Sequence, residues 1–183
     1  MPRRTFIVLA VLLIPILLSL SYEQQPNLER GQSLLLASYV DTNNEIAISV
    51  RLKYNLDNSF SLEATFSPPS GYHFYSKDLP RSGKNGQGRP TLLELPPESR
   101  MQSNGPLKES EASYMVVYEP DGPLVYPDGP VTLTLPIRLP QESGWVRDQI
   151  SLTYTACTAA NCKEPTIGKL IRVSVPGALA FSP

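Results

Sequence analysis

Apolar side chains recur at every second residue in segment after segment of this sequence, and a chain so patterned has few folds open to it. Ile46, Ile48, Val50, Leu52 and Tyr54 share one face, with Ala47, Ser49, Arg51 and Lys53 on the other. That is the period of a half-buried strand. Leu56-Asp57-Asn58-Ser59 carries turn chemistry. Phe60, Leu62, Ala64 and Phe66 then alternate with Ser61, Glu63 and Thr65, which predicts a returning strand and a hairpin. Pro68-Pro69-Ser70-Gly71 ends it. Leu34–Val40 is a short apolar run ahead of this hairpin, and shorter strands are expected at Tyr72–Ser76, Thr91–Leu95 and Tyr114–Tyr118. Residues 77–89, 98–111 and 119–130 read as connections, the last with Pro-Asp-Gly-Pro twice but no period of repeat length. Val131, Leu133, Leu135, Ile137 and Leu139 alternate again, with Pro136 on the outer face marking an edge strand or a bulge. Ile150, Leu152 and Tyr154, then Ile171, Val173 and Val175, complete the pattern.

Eight or nine short strands with turns between them predict an all-β, immunoglobulin-like β-sandwich. No helical period appears after residue 22, and the polar face is too polar for a transmembrane barrel. The 19 prolines and 11 glycines agree with many turns.

The N-terminus is different. Arg3 and Arg4 precede Phe6–Leu20, an uncharged and almost wholly apolar run of 15 residues. A spanning helix needs about 20 apolar residues, whereas this length suits the core of an export signal. Small residues at Ser19 and Ser21 place cleavage after Ser21; retention as an anchor over residues 5–21 is the competing outcome. No cysteine follows the run, which excludes a lipidated N-terminus. The expected organisation is a signal peptide or anchor at 1–21, a flexible segment at 22–32, one domain at 33–176 and a tail at 177–183. The body then lies in a periplasmic or other extracytoplasmic compartment, where disulfides persist. Two of the 16 Lys and Arg residues are Arg3 and Arg4, leaving 14 against 17 Asp and Glu in the body. A net negative body excludes nucleic acid as a partner, because phosphates need a basic face.

The chemistry-bearing residues are few. Cys157 and Cys162 are the two cysteines, with Thr158-Ala159-Ala160-Asn161 between them. That connection can turn, so a bridge across a hairpin end is feasible although an extended chain would hold the sulfurs apart. The loop it closes is very small, and such a bridge stabilises much less than one closing a long loop. A local structural disulfide and a redox-active pair both remain open. A metal site is disfavoured, because two thiolates and the single His73 supply only three soft ligands. No cofactor is expected. His73 lies among aromatics and reads as a packed strand residue. No Gly-x-Ser-x-Gly elbow accompanies it. Glu111, Glu119 and Asp121 read as solvated surface, and Trp145 as a packing cap.

Tyr154-Thr155-Ala156-Cys157 through Cys162-Lys163-Glu164-Pro165 resembles the active-site hairpin of the N-terminal periplasmic domain of DsbD, the thiol:disulfide interchange protein. Gly71-Tyr72-His73-Phe74-Tyr75-Ser76 is similar to the aromatic strand of that family, Gly88-Arg89-Pro90-Thr91 to the Gly-x-Pro-Thr that follows, and Thr134-Leu135-Pro136-Ile137 to the strand before the active site. The resemblance spans about residues 33–176. It implies an immunoglobulin-like sandwich and a Cys157/Cys162 pair that cycles between dithiol and disulfide, with Cys162 attacking and Cys157 resolving. Tyr154 and Pro165 would flank the site. A shielding cap loop would fall within Tyr118–Tyr126, with Tyr118 the shielding ring and Glu119 and Tyr126 beside it.

Two departures from the family pattern are visible. The family has one more residue between its cysteines, and no membrane core or thioredoxin-like domain follows Pro183 in this sequence. The resemblance therefore implies a separate membrane thiol reductant as one partner and periplasmic thioredoxin-fold or disulfide-bearing proteins as the others. Lys163 is offset by Glu164, so no electropositive activation of the thiol is expected. The rival expectation is a non-catalytic extracytoplasmic binding module in which the disulfide only holds a hairpin.

Overall fold

A computed structural model describes residues 28–84, 86, 88–115 and 122–181. The expected export signal over 1–21 lies outside these residues, as do Tyr118 and Glu119. Thirteen strands are formed among the described residues. They are β1 (Ser33–Asp41), β2 (Ile46–Tyr54), β3 (Phe60–Ser67), β4 (His73–Phe74), β5 (Leu92–Glu94), β6 (Gln102–Ser103), β7 (Lys108–Glu109), β8 (Tyr114–Met115), β9 (Leu124–Val125), β10 (Val131–Arg138), β11 (Trp145–Tyr154), β12 (Ala156–Cys157) and β13 (Thr166–Pro176). A single 3-10 turn, Ala178–Phe181, follows.

The architecture is an immunoglobulin-like β-sandwich. One layer runs β1-β2-β3-β10, with β6 and β7 both on the far side of β10. The other runs β13-β11-β5. All pairings are antiparallel. The alternation explains the layering. Ile46, Ile48, Val50 and Leu52 of β2 are buried, as are Leu62, Ala64 and Phe66 of β3 and Val131, Leu133, Leu135 and Ile137 of β10. They meet Leu93, Val146, Ile150, Leu152, Val173 and Val175 from the facing layer in one core. A strand slipped by one residue would turn its whole apolar set to water, so this burial fixes the register.

The expected hairpin at 46–66 is formed, with Ile48 opposite Phe66 and Leu52 opposite Leu62. Its turn is held by Asn55 N donating to Ser59 O at 2.8 Å and by the Asp57 carboxylate accepting from Ser59 N at 3.0 Å. Pro136 departs from expectation. β10 carries no bulge and has partners on both sides. Its outer partner is interrupted instead: β7 pairs with 133–134 and β6 with 137–138. Proline has no N–H to give, so the gap strands no donor, and the Pro136 carbonyl accepts from Asn104 N at 2.8 Å. At the end of β2 away from its Ile46 start, Phe181 packs on Tyr54 and Phe60 at ring distances of 5.2 and 4.9 Å. At the Ile46 end, Phe66, Phe74 and Tyr154 form a tilted triad at 5.6–6.4 Å. The cysteines sit beyond that triad.

Candidate functional site

β12 continues β11 past Thr155 and pairs with β4, so that Ala156 opposes Phe74 and Cys157 opposes His73. On its other side Cys157 opposes Cys162. His73, Cys157 and Cys162 therefore stand in line across three neighbouring strand segments. Directly opposed residues of an antiparallel pair point to the same face.

The connection between the cysteines is a two-residue hairpin loop, Ala159-Ala160. Thr158 N donates to Asn161 O at 2.7 Å, and Lys163 N donates to Ala156 O at 2.8 Å. The Thr158 hydroxyl closes the turn by accepting from Ala160 N at 3.2 Å and Asn161 N at 3.0 Å. Cys157 and Cys162 occupy the position between the two bonded pairs, where antiparallel backbones approach most closely. Their Cα atoms are 4.0 Å apart and the sulfurs are joined at 2.03 Å.

The two cysteines differ in surroundings. Cys157 is 1% exposed and packs with Tyr75, Leu79 and Val125. Cys162 is exposed. The Tyr75 hydroxyl lies 3.4 Å from Cys157 Sγ and 3.8 Å from Cys162 Sγ. With both sulfurs in a disulfide, the hydroxyl is the group with a proton to donate.

Tyr75 is itself fixed by residues from the loop before β5. Its carbonyl accepts from Thr91 Oγ1 at 2.7 Å and Thr91 N at 3.2 Å. Gly88 lies against its ring, so closely that a Cβ there would come within 2.5 Å of Cε2. Gly88 also has φ +70°, in the left-handed region that favours glycine. The Gly88–Thr91 motif thus serves to seat one aromatic ring on the disulfide.

Tyr75 has no role in the sequence reading beyond membership of an aromatic strand. The signal was its position two residues after His73, on the same face. Only the register of β4 against β12 reveals that this face carries the cysteines.

The expected site residues are distributed as follows. Tyr154 is wholly buried three residues before Cys157, and its hydroxyl donates to Asp41 Oδ2 at 2.7 Å. Burial pushes the Tyr154 hydroxyl well above its ordinary pKa. Pro165 is exposed on the return arm after Cys162. Tyr126 is buried at the base of the β8–β9 hairpin, where it accepts from Lys77 N at 2.9 Å and donates to Glu109 Oε2 at 2.9 Å. Burial, with the Glu109 carboxylate beside it, raises the Tyr126 pKa as well. The residues just before Tyr126 run beside β4. Ser76 N donates to Leu124 O and Tyr126 N to Phe74 O, at 2.9 and 2.8 Å. His73 Nδ1 is 3.4 Å from Asp128 Oδ1. Among the described residues, no three His, Cys, Asp or Glu side chains converge as metal ligands, and no helix is long and apolar enough to cross a membrane.

Among solved structures, the N-terminal domain of Neisseria meningitidis DsbD in its reduced form is similar to this chain at 16% identity, with a TM-score of 0.40 over 64% of this chain and 77% of that one. No family model matches the chain, and no curated protein does.

Proposed function

We propose that this chain is an extracytoplasmic thiol–disulfide exchange protein that works through Cys157 and Cys162. One observation carries the reading: the disulfide joins an exposed cysteine to a buried one at the end of a short hairpin. Exchange needs a sulfur that an incoming thiolate can reach and a second thiol held close behind it. A bridge closing so short a loop adds less stability than one closing a long loop, so stapling explains it less well.

In the first half-cycle a thiolate of a membrane reductant attacks Cys162 Sγ. The Cys157–Cys162 bond breaks and Cys157 leaves as a thiolate beside the Tyr75 hydroxyl. The second thiol of the reductant then attacks the mixed disulfide and releases Cys162. The reductant is left oxidised, and the chain holds two thiols after uptake of two electrons and two protons. In the second half-cycle the Cys162 thiolate attacks the disulfide of a periplasmic partner. Cys157 thiolate then attacks Cys162 Sγ, which frees the reduced partner and restores the bond. The segment Tyr118–Tyr126 is assigned the shielding role between encounters, with Tyr118, Glu119 and Tyr126 as its contributors. The pairing of Leu124–Tyr126 with residues 74–76 brings its return end alongside the sulfurs and supports that assignment.

The test is covalent trapping. The Cys157→Ser variant, expressed with its full N-terminus and quenched with acid, should accumulate mixed disulfides through Cys162. The Cys162→Ser variant should accumulate none. An empty trap from Cys157→Ser, together with a wild-type bridge that resists glutathione, would return the disulfide to the role of a hairpin clip in a binding module.

A further inference from the structure

The return arm after Cys162 is tied to a distant part of the chain. Three attachments join residues 163, 164 and 166 to the end of β1 and the turn that follows it. Lys163 Nζ pairs with Glu45 Oε2 at 2.7 Å. Glu164 O accepts from Asn44 Nδ2 at 3.1 Å. Thr166 Oγ1 donates to Asp41 Oδ2 at 3.3 Å. The turn is built to make these contacts. Asp41 is nearly buried, and its carboxylate also accepts from Asn44 Nδ2 at 3.1 Å and from the Tyr154 hydroxyl. Asn44 is 5% exposed and bridges the carboxylate to the arm. Glu45 has φ +57°, a conformation that side-chain-bearing residues seldom adopt and that persists where surrounding contacts hold it. Lys163 is further seated over the Tyr72 ring at 5.2 Å.

None of these contacts involves sulfur, so they remain available when the disulfide is open. We infer that the Asp41–Glu45 turn is a positioning clamp that keeps the Cys162 arm against Cys157 in the dithiol state and so tunes the disulfide–dithiol equilibrium toward the disulfide. Without the clamp, closing the bond must also order the arm. With it, that ordering is already done, and the effective concentration of one thiol at the other is higher. The clamp makes the dithiol the stronger reductant. This inference deepens the exchange reading above and rests on it for its biological meaning.

The experiment equilibrates the full chain with dithiothreitol and its cyclic disulfide. The reaction moves two electrons and two protons: dithiol reagent plus Cys157–Cys162 disulfide gives cyclic reagent plus Cys157/Cys162 dithiol. Alkylation of the free thiols reads the constant. Asn44→Ala should make the Cys157–Cys162 bond about tenfold easier to reduce, which corresponds to a potential about 30 mV less negative. Lys163→Ala, outside the hydrophobic core, should shift it in the same direction by about threefold. Asn43→Ala, in the same turn but outside the attachments, should leave it unchanged.

A variant that only lowers global stability weakens both redox forms alike and does not move this constant. Values within twofold of wild type for both Asn44→Ala and Lys163→Ala overturn the clamp; if Asn44→Ala fails to fold, Lys163→Ala decides alone. The constant needs no protein partner. An empty trap with Cys157→Ser would therefore remove the exchange role while leaving the clamp in place.

Discussion

Tyr75 stands over both sulfurs, and its hydroxyl lies within hydrogen-bond reach of the buried one. When Cys157 leaves as a thiolate in a nearly dry site, a donated hydrogen bond offsets part of the lost solvation. Tyr75→Phe should therefore slow reduction of the disulfide by about tenfold, the kinetic equivalent of roughly 1.4 kcal/mol. Stopped-flow reduction with dithiothreitol measures it, and an unaltered rate would remove the hydroxyl from the mechanism. Gly88→Ala attacks the same ring from behind. Its Cβ would collide with Tyr75, and its backbone would be strained at φ +70°. A loss of about 2 kcal/mol in urea unfolding is expected, with faster alkylation of Cys157 in the reduced protein. Asp41 supplies a pH signature. Burial works against its charged form, but hydrogen bonds from Tyr154 and Asn44, the Lys169 charge and the Thr166 hydroxyl outweigh that and hold its pKa below the ordinary value. A carboxyl with a depressed folded pKa adds stability above its unfolded value, about 3.9, and loses it as pH falls through the folded one. Asp41→Asn should flatten the acid limb of the stability profile below about pH 4, as read from urea midpoints. Cys157 and Cys162 could be picked out from type and spacing alone. Tyr75, Gly88 and Asn44 could not, because their roles depend on contacts between residues 82, 13 and 120 positions apart in the chain.

At the level of elements, legibility followed length. β2, β3 and β10 carry seven or more residues of alternation and stand where the sequence places them. β6 and β7 fall inside the stretch 98–111 that reads as a surface connection, and β9 inside 119–130. Two residues contain no period, so such strands are set by what they dock against and not by their own pattern. β11 begins at Trp145, five residues before its clear alternation, because Asp148 interrupts the apolar face while remaining buried. The reason lies in another element: Asp148 Oδ2 accepts from Ser99 Oγ, Arg100 N and Met101 N at 3.2, 3.0 and 2.9 Å. This carboxylate fastens the 96–101 connection to β11. Asp148→Ala strands two backbone N–H groups, and a cost of about 3 kcal/mol is expected in denaturant unfolding. A cost under about 0.5 kcal/mol would mean that the connection stands without it.

For the molecule as a whole, the sandwich core and the cysteine hairpin are energetically separate. The core joins both layers through side chains from β2, β3, β10, β11 and β13, whereas the bridge closes a span of five residues. Loop-closure entropy for so short a span gives at most about 2 kcal/mol. The reduced protein should therefore stay folded, with unfolding free energy lowered by no more than about that amount in urea titrations of both forms. Global collapse on reduction would mean that the bridge is a structural requirement. The fold class followed from alternation because the same pattern fixes every long strand against one core. The end of the sandwich that bears the chemistry did not, because its residues meet through a two-residue strand and single bridges that carry no period. The unequal exposure of the two sulfurs also governs what happens when two copies of the chain collide. By the proposed exchange an open copy would join a closed one through the exposed Cys162, and each such dimer would carry within it the thiol that undoes it. Under the proposed chemistry the population would pass its electrons around among like molecules and clear its own tangles, so lasting dimers should build up only where Cys157 has been taken away.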